Sequence, residues 1–210
     1  MVKVKICGMT GVEDALAAVR LGADALGFIF YPKSPRAISP EKAGEIISLL
    51  PPFVTTVGVF VNEQVEAIQD IVNASGIGVV QLHGDEPPEV CQHFKRVIKV
   101  FRVDKDSLLK MSEYKVSAFL LDTYTPHAFG GTGHTFDWNM ACEVKHYGSV
   151  ILAGGLSPDN VEAAIKKVKP YGVDVVSGVE GVEKGKKDIQ KMKEFIEKVK
   201  GVQASGFITP

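Results

Sequence analysis

A cysteine, an aspartate, an arginine, a histidine, a Gly-Gly pair and a Ser-Gly pair fall where short apolar runs end, the place where parallel α/β proteins keep their chemistry. Cys7 follows the alternation of Val2, Val4 and Ile6 with Lys3 and Lys5; Gly8 then breaks the run. Thr10, with Glu13 three residues on, reads as a capping box that opens a helix. A thiol in that position either takes part in the chemistry or packs as a small buried hydrophobe. Asp122 ends Ala118-Phe119-Leu120-Leu121 and emerges either at a catalytic face or as the cap of a turn. Arg36, in the proline-stiffened stretch Tyr31-Pro32-Lys33-Ser34-Pro35, offers a planar fork that could clamp a carboxylate, or is a solvated surface charge. His83, in Gln81-Leu82-His83-Gly84, is a catalytic group or a neutral hydrogen-bond donor that shapes a pocket.

Gly154-Gly155 and, one unit later, Ser177-Gly178 suit a phosphate, because backbone N–H groups approach an anion more closely where no Cβ intervenes. The stretch from Thr123 to Gly133 is long and glycine-rich, the character of a lid. His93, His127, His134 and His146 show no paired ligand spacing, so no metal is inferred. Cys91 and Cys142 read as core positions of amphipathic helices.

The elements that carry these groups alternate from end to end. Apolar runs at 2–6, 25–30, 54–61, 78–83, 96–102, 117–122, 149–153 and 173–177 are each followed by a helical pattern, from residues 11, 40, 63, 86, 105, 138, 158 and 188. Nearly continuous apolar strands such as Val150-Ile151-Leu152-Ala153 are those of a parallel sheet covered on both faces. Val65, Ile68 and Val72, and Val161, Ala164, Ile165 and Val168, keep helical spacing. Eight such units predict a single-domain α/β protein, a (β/α)8 TIM barrel over residues 1–200, with 201–210 as a C-terminal tail where helical periodicity fades. The alternative is an open doubly wound sheet, but the turn after the first strand lacks its Gly-x-Gly-x-x-Gly.

Composition narrows the partners. A formal charge of −1 leaves no footprint for nucleic acid or an anionic membrane. No apolar run approaches the ~20 residues of a membrane span, and the first residues read as a strand rather than a signal peptide. Three cysteines spaced far apart make neither a disulfide framework nor a CxxC site, so a cytoplasmic location is expected.

In order along nearly the whole chain, these segments resemble the phosphoribosylanthranilate isomerase family: Lys5-Ile6-Cys7-Gly8-Met9-Thr10, Gly27 through Arg36, Val57 through Asn62, Val80 through Gly84, Leu120-Leu121-Asp122-Thr123, Gly130 through Gly133 before Phe136-Asp137-Trp138, Leu152 through Leu156, and Asp174 through Glu180. The resemblance implies an Amadori rearrangement of N-(5'-phosphoribosyl)anthranilate in tryptophan biosynthesis, without a cofactor. By it Asp122 is the general acid that opens the furanose ring, which requires a group still protonated near neutral pH, and Cys7 is the base that removes the C2' proton. Nearby cations are expected to favour the Cys7 thiolate. Arg36 holds the anthranilate carboxylate and Asp174 a sugar hydroxyl; the backbone around Gly154, Gly155, Val176 and Ser177 holds the phosphate. Val176 stands where the family often has a small polar residue, so contact there comes from backbone N–H. His83 belongs to the pattern as a substrate-site residue without an assigned proton transfer. The implied partner is the small substrate, to a monomer or homodimer. Other readings are a non-catalytic sugar-phosphate-binding barrel, or another phosphate-binding barrel enzyme. Indole-glycerol-phosphate synthase would show paired lysine and glutamate at strand ends, and ribulose-phosphate epimerase histidine and aspartate metal ligands.

Overall fold

The structure is a computed structural model that describes residues 1–103, 108–123 and 137–205. Eight parallel strands close on themselves in chain order: β1 (Lys3–Cys7), β2 (Ala25–Ile29), β3 (Thr55–Phe60), β4 (Val79–Leu82), β5 (Val97–Arg102), β6 (Ala118–Asp122), β7 (Val150–Leu152) and β8 (Gly172–Val175). Closure comes from β1 pairing with β8, in a register that sets Lys5 against Asp174. Around them lie α1 (Val12–Leu21), α2 (Pro40–Ser48), α3 (Val65–Ser75), α4 (Pro88–Cys91), α5 (Trp138–Glu143), α6 (Val161–Val168) and α7 (Ile189–Ser205). This is the TIM barrel that the alternation predicts.

Because strand side chains alternate, each strand serves two cores. Ile6, Leu26, Phe28, Phe60, Leu82, Phe119, Leu121 and Val173 face outward, onto helix residues such as Ala18, Ile68, Ile165 and Phe195. Phe28, Phe60 and Phe195 are fully buried there, each contributing ~1.5–3 kcal/mol relative to exposure. The opposite phase fills the barrel with Val57, Val79, Ile98, Val100, Leu120 and Ile151. The same phase, carried toward the strand ends, brings in Lys5 and Cys7 on β1, Gln81 on β4, Asp122 on β6 and Asp174 on β8. All five are buried.

Two local expectations change. Thr10 does not cap α1; its hydroxyl donates to the Gly185 carbonyl at 2.8 Å, and Gly11 occupies the cap position with no side-chain bond. The hydroxyl ties the loop after β1 to the segment after β8, and the helix begins one residue too late for Thr10 to cap it. The last helix runs through Gly201 to Ser205, where a tail from 201 is expected. Phe195, Ile196, Val199 and Val202 hold an apolar stripe against the core across that point. Ser39 does cap α2, accepting from the Lys42 N–H, with Pro40 in the first turn. The helix expected from 105 begins in residues outside the described ones; that connection closes with a 3-10 turn, Lys110–Glu113.

Candidate active site

Cys7, Arg36, His83, Asp122, Gly154, Gly155, Asp174, Val176 and Ser177 all line one cleft at the carboxyl ends of the strands. The structure brings these nine residues to one place, while Gly178 packs against Leu156 instead of lining the cleft. The physical reason is the parallel barrel: each strand ends on the same face, so residues far apart in the chain converge there.

Cys7 reaches the barrel interior opposite Gly27 of β2, its register partner. A Cβ at position 27 would sit 2.4 Å from the Cys7 sulfur, so the glycine makes the space the thiol occupies. Only 3% of Cys7 is exposed. Burial pushes the thiol above its ordinary value, against the opposing pull of Lys5 and Lys187, while Asp174 adds to the rise. The expectation that cations make the thiolate favourable is therefore corrected for the substrate-free site: desolvation outweighs them. Cys91 is buried, and burial lifts its thiol to about 11. Cys142 is exposed rather than part of the core, its thiol directed at the Lys167 carbonyl.

Asp174 does not stand alone. Lys5 Nζ meets its Oδ1 at 2.9 Å, and both side chains are 5% exposed. Burial works against the lysine's charge, yet Asp174 and Cys7 together raise its pKa above the ordinary lysine value.

Asp122 is hydrogen-bonded through one oxygen and has the His83 imidazole near the other. Oδ1 accepts the Thr123 N–H at 2.8 Å, and Oδ2 lies 3.4 Å from His83 Nε2. The strand-end carboxylate thus caps its own turn and faces the cleft at once. On the far side of the imidazole, Gln81 Nε2 lies 3.2 Å from Nδ1. With the amide oriented so that its nitrogen donates, Nδ1 accepts and a neutral ring carries its proton on Nε2, toward Asp122.

Arg36 is buried, which excludes the surface reading. Its Nε and Nη2 meet Glu180 Oε1 and Oε2, each at 2.7 Å. That edge of the fork is taken by the protein itself. Glu180 Oε1 also lies 3.2 Å from Lys187 Nζ, whose second acceptor is the Val176 carbonyl, and accepts the Gly185 N–H. Burial pushes the Glu180 carboxyl up, but hydrogen bonding by Arg36 and the Lys187 charge hold it below the usual carboxylate range.

In the loop after β7, Gly154 and Gly155 have φ of 76° and 63°, in the left-handed region. A Cβ on Gly154 would lie 2.3 Å from Thr123 Oγ1 and 2.9 Å from Asp122 Oδ1, so this loop packs directly on the aspartate. Asn160 steadies it by donating to the Gly155 carbonyl and accepting the Ser157 N–H. After β8, Ser177–Val179 forms a 3-10 turn. Of the glycine-rich stretch read as a lid, only Thr123 is described; residues 124–133 lie outside. Among the described residues no group of three His, Cys, Asp or Glu side chains is placed to hold a metal ion, and no helix is long and apolar enough to cross a membrane.

The sequence alone does not single out Lys5, Gln81, Glu180 and Lys187. Lys5 carries a signal, standing two residues before Cys7 on the same strand and hence on the same face; Gln81 lies on β4 two residues before His83, which follows the strand. For Glu180 and Lys187 there was no comparable local sign.

A protein-family model described as N-(5'phosphoribosyl)anthranilate (PRA) isomerase matches residues 4–198. The N-(5'-phosphoribosyl)anthranilate isomerase of Geotalea uraniireducens is 56% identical over 204 residues, covering 96% of this chain and all of that one. The crystal structure of phosphoribosyl anthranilate isomerase from Thermotoga maritima superposes with a TM-score of 0.90 at 48% identity, covering 96% of this chain and 100% of the other. A further structure of such an isomerase, in complex with reduced 1-(o-carboxyphenylamino)-1-deoxyribulose 5-phosphate, gives a TM-score of 0.86 at 46% identity over 96% of this chain and 100% of that one.

Proposed function

Because the chain belongs to the N-(5'-phosphoribosyl)anthranilate isomerase family, we propose that Cys7 and Asp122 are the base and the acid of its reaction. The protein is an isomerase of tryptophan biosynthesis. It converts N-(5'-phosphoribosyl)anthranilate to 1-(2-carboxyphenylamino)-1-deoxyribulose 5-phosphate.

The observation that supports the assignment is the distribution of groups round one cleft. The glycine loops after β7 and β8 cradle the phosphate, and Arg36, after β2, takes the carboxylate. The ribose between them meets Cys7 on β1 and Asp122 on β6. Asp122 protonates the furanose oxygen; the C1'–O bond breaks as the anthranilate nitrogen's lone pair forms C1'=N. The carboxylate left behind keeps the Thr123 N–H at 2.8 Å and the His83 Nε2 at 3.4 Å. The Cys7 thiolate then takes the C2' proton, the C–H pair becomes C1'=C2', and the imine electrons return to nitrogen. The enolamine tautomerises to the ketone. Asp174 accepts from a sugar hydroxyl, and the chemistry calls for no cofactor.

The enzyme works in the cytoplasm, where its cysteines stay reduced, as a monomer or homodimer. A relative from Thermotoga maritima at 44% identity is described as dimeric. The catalytic barrel includes the last helix through Ser205. The test is the fluorescence of freshly formed phosphoribosylanthranilate without added metal: it decays on adding the protein. A signal that persists while the protein is folded would leave only a binding role.

A further inference from the structure

We propose that Lys5 is a positioning residue for Cys7: its ammonium, paired with Asp174 on the barrel face that also carries the sulfur, supplies the positive charge against which the thiolate forms. This rests on the reading of Cys7 as the base.

The arrangement follows from strand geometry. Lys5 and Cys7 are two residues apart on β1, so both side chains enter the barrel on the same face. Closure of the barrel puts Asp174 directly across from Lys5 in the β1–β8 register. All three are nearly sealed from solvent, at 4%, 3% and 5% exposure. A thiolate forming in such a place has little water to solvate it and depends on fixed charges. The charged groups acting on the sulfur are Lys5 on its own strand, Asp174 on β8 and Lys187 before α7. Lys187 is engaged with Glu180 and the Val176 carbonyl, which leaves Lys5 as the cation sharing a face with the sulfur. Asp174 draws on that same ammonium at 2.9 Å and so restrains it. In the step itself the C2'–H bond breaks, S–H forms and the electron pair enters C1'=C2'. Lys5 gives up no proton; it compensates the sulfur's charge before the transfer.

A residue that only filled space would not predict effects of opposite sign from its two neighbours. Thiolate formation at Cys7 is read by ultraviolet titration of the substrate-free protein, subtracting the same protein with Cys7→Ala so that Cys91 and Cys142 cancel. Asp174→Asn removes the competitor for the ammonium and shifts the Cys7 titration to lower pH, by about one unit, tenfold in thiolate fraction. Lys5→Met with Asp174→Asn, which leaves no buried charge unpaired, shifts it above wild type and lowers kcat at least tenfold relative to Asp174→Asn alone. Proper folding of each is checked by circular dichroism. If Asp174→Asn leaves the titration in place or raises it, or the double variant titrates at or below wild type, the role of Lys5 is overturned. Near-normal turnover by Cys7→Ala would instead remove Cys7 as the base, whatever the titrations show.

Discussion

Cys7 sits in surroundings that resist its charge. Desolvation holds its thiol up, so iodoacetamide should alkylate it slowly at neutral pH and faster only above the ordinary cysteine range, with a product analogue protecting it. Rapid labelling of the Cys7 peptide at neutral pH would contradict that picture. Cys7→Ala and Asp122→Asn should each lose ~10²–10⁴-fold in kcat with the fold intact, since each removes a proton-transfer group rather than core volume. Near-normal kcat in a folded variant removes that residue from the mechanism. Arg36 already spends one edge of its fork on Glu180, which fixes the guanidinium plane and leaves the Nη1 side to meet a ligand. Arg36→Lys keeps charge but not the planar pair of donors, and should lower kcat/KM by about ten- to a hundredfold, the equivalent of ~1.5–3 kcal/mol. Because the substitution also disturbs Glu180, the deciding measurement is an analogue lacking the carboxylate. Wild type and Arg36→Lys should handle it almost equally; an equal loss on both substrates would show that Arg36 only shapes the loop.

The loops that carry these residues are held by buried polar anchors. After β4, Glu86 accepts the N–H groups of Gly84 and Asn62 and pairs with Lys99 at 2.8 Å, while Lys99 also donates to the Gly84 carbonyl. The turn that starts at His83 is thereby fixed from below. Lys99→Met strands the Glu86 charge in the interior and should cost ~3–5 kcal/mol by denaturant unfolding; a loss under ~1 kcal/mol would mean the pair is not buried in solution. The loop after β7 is limited by contact instead. Gly154→Ala must adopt a left-handed backbone and push against Thr123 and Asp122, so kcat should fall as Asp122 is displaced. An unchanged kcat would mean the aspartate position tolerates the shift. At the next residue, Gly155→Asp places a negative charge beside the proposed phosphate and should raise KM, with inorganic phosphate a weak competitor of the wild type.

At the scale of the whole barrel, Arg36 and Glu180 join the segments after β2 and β8, and Glu180 connects stability to pH. Its carboxyl is held below the unfolded value, so the stabilisation is fully present above the unfolded carboxylate range and is lost as pH falls through the folded value. Glu180→Gln should therefore lose stability at neutral pH and show a shallower acid decline in Tm than wild type; parallel acid declines would place the acid-sensitive group elsewhere. The sequence by itself determined the architecture and most of the cleft. Alternation at i, i+2 assigns each strand residue a face, and a parallel barrel gathers all strand ends on one side, so chain order alone collects Cys7, Arg36, His83, Asp122, Gly154 and Ser177. What it could not determine is who stands beside whom across the closure. Lys5 meets Asp174 169 residues away, Arg36 meets Glu180 144 away, and Thr10 meets Gly185 175 away instead of capping its own helix. The direction in which the Cys7 thiol shifts belongs to the same class. Face and phase are local consequences of backbone geometry, whereas an ion pair or a desolvation cost is a sum over every group the closed barrel brings near, and only the tertiary structure fixes that sum.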